Sequence, residues 1–309
     1  MERVATLMHS SAMLAELQRS QRAMFDAQTQ VSTGKRINEF SDSPADLGAL
    51  MAARGADSRT ADFLASAKAI RTRLDLQDTH IDEMASITAD MKQAVLDAVA
   101  NSSGAGLKAE LEGVFGRLTS ILNTQVDGKY IYGGTRQDVP PVTVGSLAEL
   151  MALPATADAF QNNAVAATGR IDNSQVIAFG QLADQLGAPA FDMLRQIMGY
   201  DAGPNGPFTN DMNETQASFL TTLVPQLTAV DEGVNNLLAA NGVAYQVANE
   251  AVQRHADARV TLASIIHDIE DVDMAEAVTK LNNAEIALQA SAKSFATVQG
   301  LSLLDYLPL

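Results

Sequence analysis

The sequence predicts a mainly α protein: a long antiparallel helical bundle or coiled coil built from both chain ends, with a small β-containing insertion domain in the middle. Apolar residues recur three and four positions apart over long stretches near both ends, which is the pattern of packed helices. Six of the nine prolines fall between Pro140 and Pro207, so long helices should stop there. Short β-branched or aromatic runs bounded by turn residues lie in that middle region.

The first helix is expected from about Val4 to Gly34. Its apolar stripe has the spacing of a coiled-coil seam and consists of Leu7, Leu14, Leu17, Met24 and Val31. Gln21 and Gln28 fall on seam positions in this register, so the stripe is weak and should need partner helices.

A joint between two helices is predicted in the stretch VSTGKRINEFSDSPADL, residues 31–47. Gly34-Lys35 looks like a fragment of a phosphate-binding loop, but that motif needs a Gly at position 29, a Ser or Thr at position 36 and a preceding strand. Gly34 is instead expected to end the first helix. Ser43 should cap the second helix, with Pro44 in its first turn and Asp46 completing a capping box.

The second helix should run from Ser43 to about Asn101, because its four-three repeat is the strongest periodic signal in the chain. A further helix is expected from Leu107 to about Val126, which would make a helical hairpin. Short strands are predicted in the middle region at residues 129–132, 142–144, 170–171 and 176–179.

Helical texture returns in the last third of the chain. A short helix is expected at Ala190–Met198, and Asn213 should cap a long one that runs to about His267 with a soft interruption at Asn241-Gly242. The final helix has a heptad of Met274, Leu281, Leu288 and Phe295, and the acidic run Asp268, Asp271 and Asp273 should lie at its start.

Three parts follow from this reading. Residues 1–40 and 270–309 would form a terminal coiled-coil domain, residues 41–134 and 181–269 a helical rod domain, and residues 135–180 a small β-rich outer insertion.

The composition excludes several classes of function. The formal charge of −16 argues against nucleic-acid binding, which needs a basic face. The chain has no Cys, and none of its four His lies three or four positions from another, so neither thiol chemistry nor a helical zinc pair is expected. No apolar run approaches the length of a membrane span, and the first residues do not resemble a cleaved signal peptide. We therefore predict no enzyme, and no catalytic, cofactor-binding or metal-binding residue.

The segment VSTGKRINEFSDSPADLGALMAAR, residues 31–54, resembles the joint between the first two helices of bacterial flagellins and their relatives. The run ALQASAKSFATVQGLSLLDYL, residues 287–307, is similar to the terminal helix of axial flagellar proteins. Within that family, GKYIYGGTRQDVPPV (residues 128–142) and the ending LSLLDYL resemble the hook–filament junction proteins, also called hook-associated protein 3. The usual Asp-Asp-Pro of the family is Asp42-Ser43-Pro44 here.

This resemblance implies a structural protein of the extracellular flagellum, exported through the flagellar type III channel without a cleaved signal peptide. Its implied partners are copies of itself in a ring, a neighbouring hook-associated protein, flagellin, and an export chaperone before assembly. The expected assembly interface comprises Leu7, Leu14, Leu17, Met24, Val31, Leu281, Leu288, Phe295 and Leu304.

Two alternatives remain at the level of sequence. A filament flagellin would share both chain ends. A non-flagellar coiled-coil signalling scaffold would share the four-three repeats, but it predicts an unbroken helical hairpin, which the proline-rich middle contradicts.

Overall fold

Long helices dominate the computed structural model, which describes residues 2–38 and 44–304, with side chains for residues 8, 11–38 and 45–297. In chain order its elements are α1 Glu2–Thr33, α2 Pro44–Ala100, α3 Leu107–Leu122, β1 Gln125–Val126, β2 Lys129–Tyr130, α4 Leu147–Ala152, a 3-10 turn Thr156–Ala159, β3 Thr168–Arg170, β4 Val176–Ala178, α5 Ala183–Asp201, α6 Glu214–Glu270 and α7 Met274–Leu304. The predicted class is confirmed: long helices from both ends of the chain pair, and small strand pairs lie in the middle.

The chain forms two compact units. One consists of Met1–Thr60 and Asp257–Leu309, and the other of Ala61–Ala256. The predicted division into terminal domain, rod and outer insertion is finer than this and stays a prediction.

The larger unit has an extensive apolar core. It is built from the C-terminal half of α2, from α3, α4 and α5, and from the N-terminal part of α6. Its largest buried side chains include Tyr132, Phe191, Met91 and Leu118. Residues of the predicted insertion, such as Val142 and Leu150, pack into this same core.

A second cluster in this unit holds a hairpin of β3 and β4 against α2 and α6. Ile171 and Ile177 of the hairpin region pack with Leu74 on α2 and Val252 on α6. A Cβ at Gly169 would lie 2.5 Å from the Ile70 Cδ1, so a larger residue at this position would force the Ile70 side chain to move.

The helix limits agree with the sequence at most ends. α6 begins with the predicted cap, because Asn213 Oδ1 accepts the Gln216 N–H at 2.9 Å and Gln216 Oε1 accepts the Asn213 N–H at 3.0 Å. This reciprocal pair is a capping box. α7 starts at the acidic run as predicted, with Asp273 Oδ1 accepting the Ala275 N–H at 2.8 Å.

Several local predictions were wrong. α3 ends at Leu122, and Val126 lies in β1, because the chain turns at Asp127-Gly128, where both residues have positive φ. Residues 142–144 form no strand; Val142 makes a single bridge to Phe160.

The helix expected from Ala190 begins seven residues earlier, at Ala183. Pro189 does not start α5 but lies inside it. The proline removes one helical hydrogen bond, and burial of Ala183, Leu186 and Ala190 in the core outweighs that loss. α6 likewise continues without a break through Asn241-Gly242.

Candidate assembly surface of the terminal helices

α1 and α7 pair in antiparallel orientation within the smaller unit. Ser20 Oγ lies 3.2 Å from Ser291 Oγ, and Ala27 and Ala284 line one groove of about 440 Å³ between the two helices. Small side chains at these positions let the helices approach closely, in the manner of a coiled-coil seam.

The apolar seam of this pair is only half covered. In the described parts of α1 and α7 the buried side chains are the small ones, Ser20, Ala27 and Ala277. The larger seam residues keep part of their surface exposed; they are Leu17, Met24, Val31, Leu281, Leu288 and Phe295. The pairing of α1 with α7 alone therefore leaves the apolar seam residues partly exposed.

The seam of α1 differs by one position from the predicted one. Ser20 and Ala27 face α7, whereas Gln21 and Gln28 are exposed, so the prediction that the glutamines lie in the seam was wrong. Leu14 is also exposed. Small residues occupy the positions where two helices approach most closely. A pattern built only from large apolar residues therefore misses them.

Further large apolar side chains of the smaller unit face outward. Phe25 on α1 is 68% exposed and Ile286 on α7 is 66% exposed. Others with large exposed fractions are Met8, Met51, Val260, Ile265, Met274 and Val278. Leu7 and Leu304 belong to α1 and α7, but their side chains lie outside the described residues.

The segment that follows α1 and the segment that precedes α7 bind each other through their backbones. Gly34 ends α1 with a φ of 69°, a conformation that glycine adopts without strain, and its N–H bonds to Gln30 O at 2.9 Å. Its carbonyl accepts the Val272 N–H at 3.0 Å, and Glu270 O accepts the Arg36 N–H at 2.7 Å. We call this pairing of residues 34–37 with residues 270–272 the joint clasp.

A buried carboxylate completes the joint clasp. Glu270 is nearly inaccessible, and it accepts hydrogen bonds from the half-exposed side chains of Lys35 and Arg54. The hydrogen bond from Lys35 is the largest influence that holds the pKa of Glu270 below its ordinary value, with Arg54 adding to it against the opposing effect of burial. The clasp thus joins α1, α2 and α6 through one side chain.

Arg36 links the joint clasp to the first turn of α2. Its guanidinium donates to Asp46 Oδ2 at 2.9 Å and to Ile269 O at 2.8 Å. Ser43, the predicted cap of α2, lies outside the described residues, as does the side chain of Pro44, so the capping box with Asp46 stays a prediction.

The described histidines have structural partners. His255 contacts Ile171 O at 2.7 Å and stacks on Phe63. His80 Nδ1 lies 2.9 Å from the Tyr132 hydroxyl, and burial lowers the pKa of His80.

Within the described ranges, no group of three or more His, Asp or Glu side chains is arranged to hold a metal ion. In the same part of the chain, no helix combines the length and apolarity needed to cross a bilayer.

Family models match both ends of the chain. The bacterial flagellin N-terminal helical region matches residues 4–137, and the bacterial flagellin C-terminal helical region matches residues 227–307. The chain belongs to the flagellin family. It is therefore a structural component of the flagellum, exported and assembled with other flagellar proteins, and the signalling-scaffold alternative does not apply.

Solved structures share the fold of this flagellin-family protein at low sequence identity. A Vibrio parahaemolyticus protein assigned as a flagellar hook-associated protein superposes with a TM-score of 0.60 at 15% identity, covering 74% of this chain and 100% of its own. Bacillus cereus FlgL superposes with a TM-score of 0.54 at 14% identity, covering 71% of this chain and 100% of its own. Among curated protein sequences, none matches this chain significantly.

Proposed function

We propose that this flagellin-family protein joins the hook to the filament as a ring of copies packed through α1 and α7. The observation that carries the proposal is the half-covered α1–α7 seam, flanked by the exposed side chains of Phe25 and Ile286. A helix pair of this kind gains its remaining apolar burial only from neighbours. Burial of the Phe25 side chain in such a contact would contribute about 1–2 kcal/mol per copy.

The junction position, rather than the filament, is favoured by two observations. The segment 128–142 resembles that of junction proteins, and the Vibrio parahaemolyticus structure named above carries a hook-associated name. The partners would be copies of this chain, a neighbouring hook-associated protein on one side and flagellin on the other. Export would proceed without a cleaved signal peptide, with a chaperone bound to the chain before assembly.

Deletion of the gene for this chain in its source bacterium distinguishes a junction protein from a filament flagellin. A junction protein predicts loss of swimming with intact hooks and with filament subunits shed unassembled into the medium. A filament flagellin predicts bare hooks and no shed subunits. Normal swimming would contradict both.

The assembly surface is tested by Phe25→Ser combined with Ile286→Ser, introduced into the deletion strain. We expect loss of swimming, while the purified variant keeps its helical content and unfolds within about 0.5 kcal/mol of the unchanged chain, because both side chains are already exposed. Motility on soft agar and urea unfolding followed by circular dichroism measure the two effects.

The matched control is Val165→Ser with Val176→Ser, which removes two comparably exposed apolar side chains in the larger unit. This control should swim. Equal motility of both double variants would show that Phe25 and Ile286 do not form the interface.

A further inference from the structure

We infer that His80 on α2 and Tyr132 form an acid-sensitive latch, which holds residues 131–134 on α2 while His80 is neutral and releases them when it is protonated. We call these two residues the His80–Tyr132 latch. Both belong to the larger unit, and neither lies on α1 or α7. The inference is therefore independent of the proposed assembly surface.

The segment that follows β2 is attached to two helices. Arg73 and His80 lie seven residues apart on α2, which is about two helical turns. Arg73 Nη2 donates to Ile131 O at 3.4 Å, and His80 Nδ1 lies 2.9 Å from the hydroxyl of the next residue, Tyr132. The Tyr132 carbonyl accepts the N–H of Ala183, the first residue of α5, at 3.0 Å. Tyr132 thus connects the segment to α2 through its side chain and to α5 through its backbone.

The Tyr132 hydroxyl depends on His80 for its hydrogen bond. Tyr132 is 0% exposed, and burial raises the pKa of its hydroxyl, which therefore keeps its proton. Among the described residues, this hydroxyl has one hydrogen-bond partner, His80 Nδ1. A neutral His80 that carries its proton on Nε2 accepts the Tyr132 O–H at Nδ1. The buried hydroxyl thus has an acceptor while His80 is neutral.

Protonation of His80 removes that acceptor, because Nδ1 then carries a proton and becomes a donor. The Tyr132 oxygen can accept from it, but the hydroxyl's own proton is left buried without an acceptor, which is unfavourable. His80 is itself partly buried, and burial is the main reason that its pKa lies below the ordinary value. Both effects act against the protonated form of the closed latch.

The charged groups around the latch come from α2 and α5. Glu83 on α2 favours the protonated histidine, but its effect is smaller than that of burial. Arg73 acts on the tyrosine hydroxyl, so protonation of the histidine places a second positive charge beside the same hydroxyl. On α5 the first charged residue is Asp184, whose carboxylate accepts from Asn162 Nδ2 at 2.9 Å. The net result is the lowered pKa of the histidine.

The direction of the pH dependence follows from this lowered pKa. The contribution of the latch is fully present above the ordinary histidine value of 6.5. As the pH falls below 6.5, the open form takes up a proton more readily than the closed form does. The contribution is then lost until the lowered pKa is reached, and the opening equilibrium constant rises by at most about tenfold per pH unit for one proton.

Hydrogen exchange of the full-length chain between about pH 7.5 and about pH 5 tests the latch. The reporters are the amide of Ala183, bonded to Tyr132 O, and the amide of Ile131, bonded to Thr124 O at 3.2 Å. Each exchange rate, divided by the intrinsic rate at the same pH, gives the constant for local opening. We expect this constant to rise as the pH falls below 6.5, with the limiting slope given above.

His80→Gln removes the titration and keeps a side-chain oxygen that can accept the Tyr132 O–H. The slope should therefore disappear in this variant. The matched control is His267→Gln, the same exchange at a histidine that is 69% exposed in the smaller unit, and it should keep the slope. A flat profile in the unchanged chain would overturn the inference, and so would equal slopes in the two variants.

Tyr132→Phe provides a second test, which decides the question if His80→Gln does not fold. This exchange removes the hydroxyl and keeps the ring in the core. Because a hydrogen bond to the neutral imidazole lowers the pKa of His80, its loss should raise that pKa toward the ordinary value. The histidine ring resonances, followed by NMR against pH, measure the change once circular dichroism has established that the helices are intact. A pKa of His80 that is unchanged or lower in Tyr132→Phe would show that the hydroxyl does not favour the neutral form, and the latch would be refuted.

Discussion

Glu270 illustrates at the residue scale how a nearly buried carboxylate can stabilise a joint. Its two cationic partners, Lys35 and Arg54, are half exposed, so they keep part of their hydration while they neutralise the buried charge. The backbone of Glu270 is used as well, since its carbonyl accepts the Arg36 N–H. One residue thus holds two chain segments that are far apart in sequence.

Glu270→Gln should destabilise the smaller unit by about 1–2 kcal/mol, because two charge-assisted hydrogen bonds weaken while Lys35 and Arg54 regain solvent. Hydrogen exchange of the amides in residues 34–37 and 270–272 measures this loss. The control Glu250→Gln alters an exposed side chain of the same helix and should change exchange little. Equal exchange in the two variants would contradict a stabilising role for the joint clasp.

The same carboxylate predicts an acid-sensitive joint. Because its pKa is lower in the folded protein than the ordinary value of 4.5, its contribution is fully present above that pH. The contribution is lost as the pH falls below 4.5 and through the lowered pKa. The unchanged chain should therefore lose protection at residues 34–37 faster on acidification than the Glu270→Gln variant does. Parallel pH profiles would count against this assignment.

At the scale of elements, most helix starts are determined by short local signals. The capping box of Asn213 and Gln216 starts α6, and Asp273 starts α7. Gln216 does more than cap, because its buried Nε2 also donates to Asn205 O at 2.8 Å and to Pro207 O at 3.1 Å. It therefore fastens the preceding loop to the first turn of α6.

Asn213→Ala should cost about 1 kcal/mol of unfolding free energy, the usual value for loss of an N-cap. Gln216→Ala should cost about 2 kcal/mol, because it leaves buried backbone groups of the loop unpaired as well. Urea unfolding at pH 7 distinguishes the two, with Asn210→Ala in the same loop as the exposed control. A smaller loss for Gln216→Ala than for Asn213→Ala would be incompatible with the second role of Gln216.

At the scale of the whole molecule, the two compact units differ in how much apolar surface each buries. The larger unit has many fully buried large side chains, whereas the buried side chains in the described parts of α1 and α7 are the small ones, Ser20, Ala27 and Ala277. Local stability follows buried apolar contact. The free chain should therefore open first at its terminal helices.

Hydrogen exchange of the free chain should give a lower free energy of local opening for the terminal helices than for the core helices. The amides compared are those of residues 11–33 and 274–297 on one side and of residues 81–98 and 186–198 on the other. Packing into an assembled ring should protect the terminal helices, because neighbours complete their seams. Uniform protection in the free chain would mean that the two-helix pair is already complete.

The exposed apolar residues were the part of the surface that sequence reasoning located least well. Leu14, Phe25 and Ile286 share a helical pattern with the buried residues around them, and periodicity cannot assign a face when a helix has apolar residues on more than one side. The joint clasp also escaped prediction. Lys35, Arg54 and Glu270 are distant in sequence, and no local motif connects them.

The sequence by itself determined the helices, most of their ends and the family, because capping residues, turn glycines and apolar repeats act over a few neighbouring positions. Only the tertiary structure decided which face of α1 meets α7, that Glu270 binds Lys35 and Arg54, and that Asn241 lies buried against α2 rather than interrupting α6. Those outcomes depend on contacts between residues that are more than a hundred positions apart. Side-chain packing and the pairing of buried polar groups determine these contacts. The periodic pattern of one helix does not identify the residues of the other helix that it contacts.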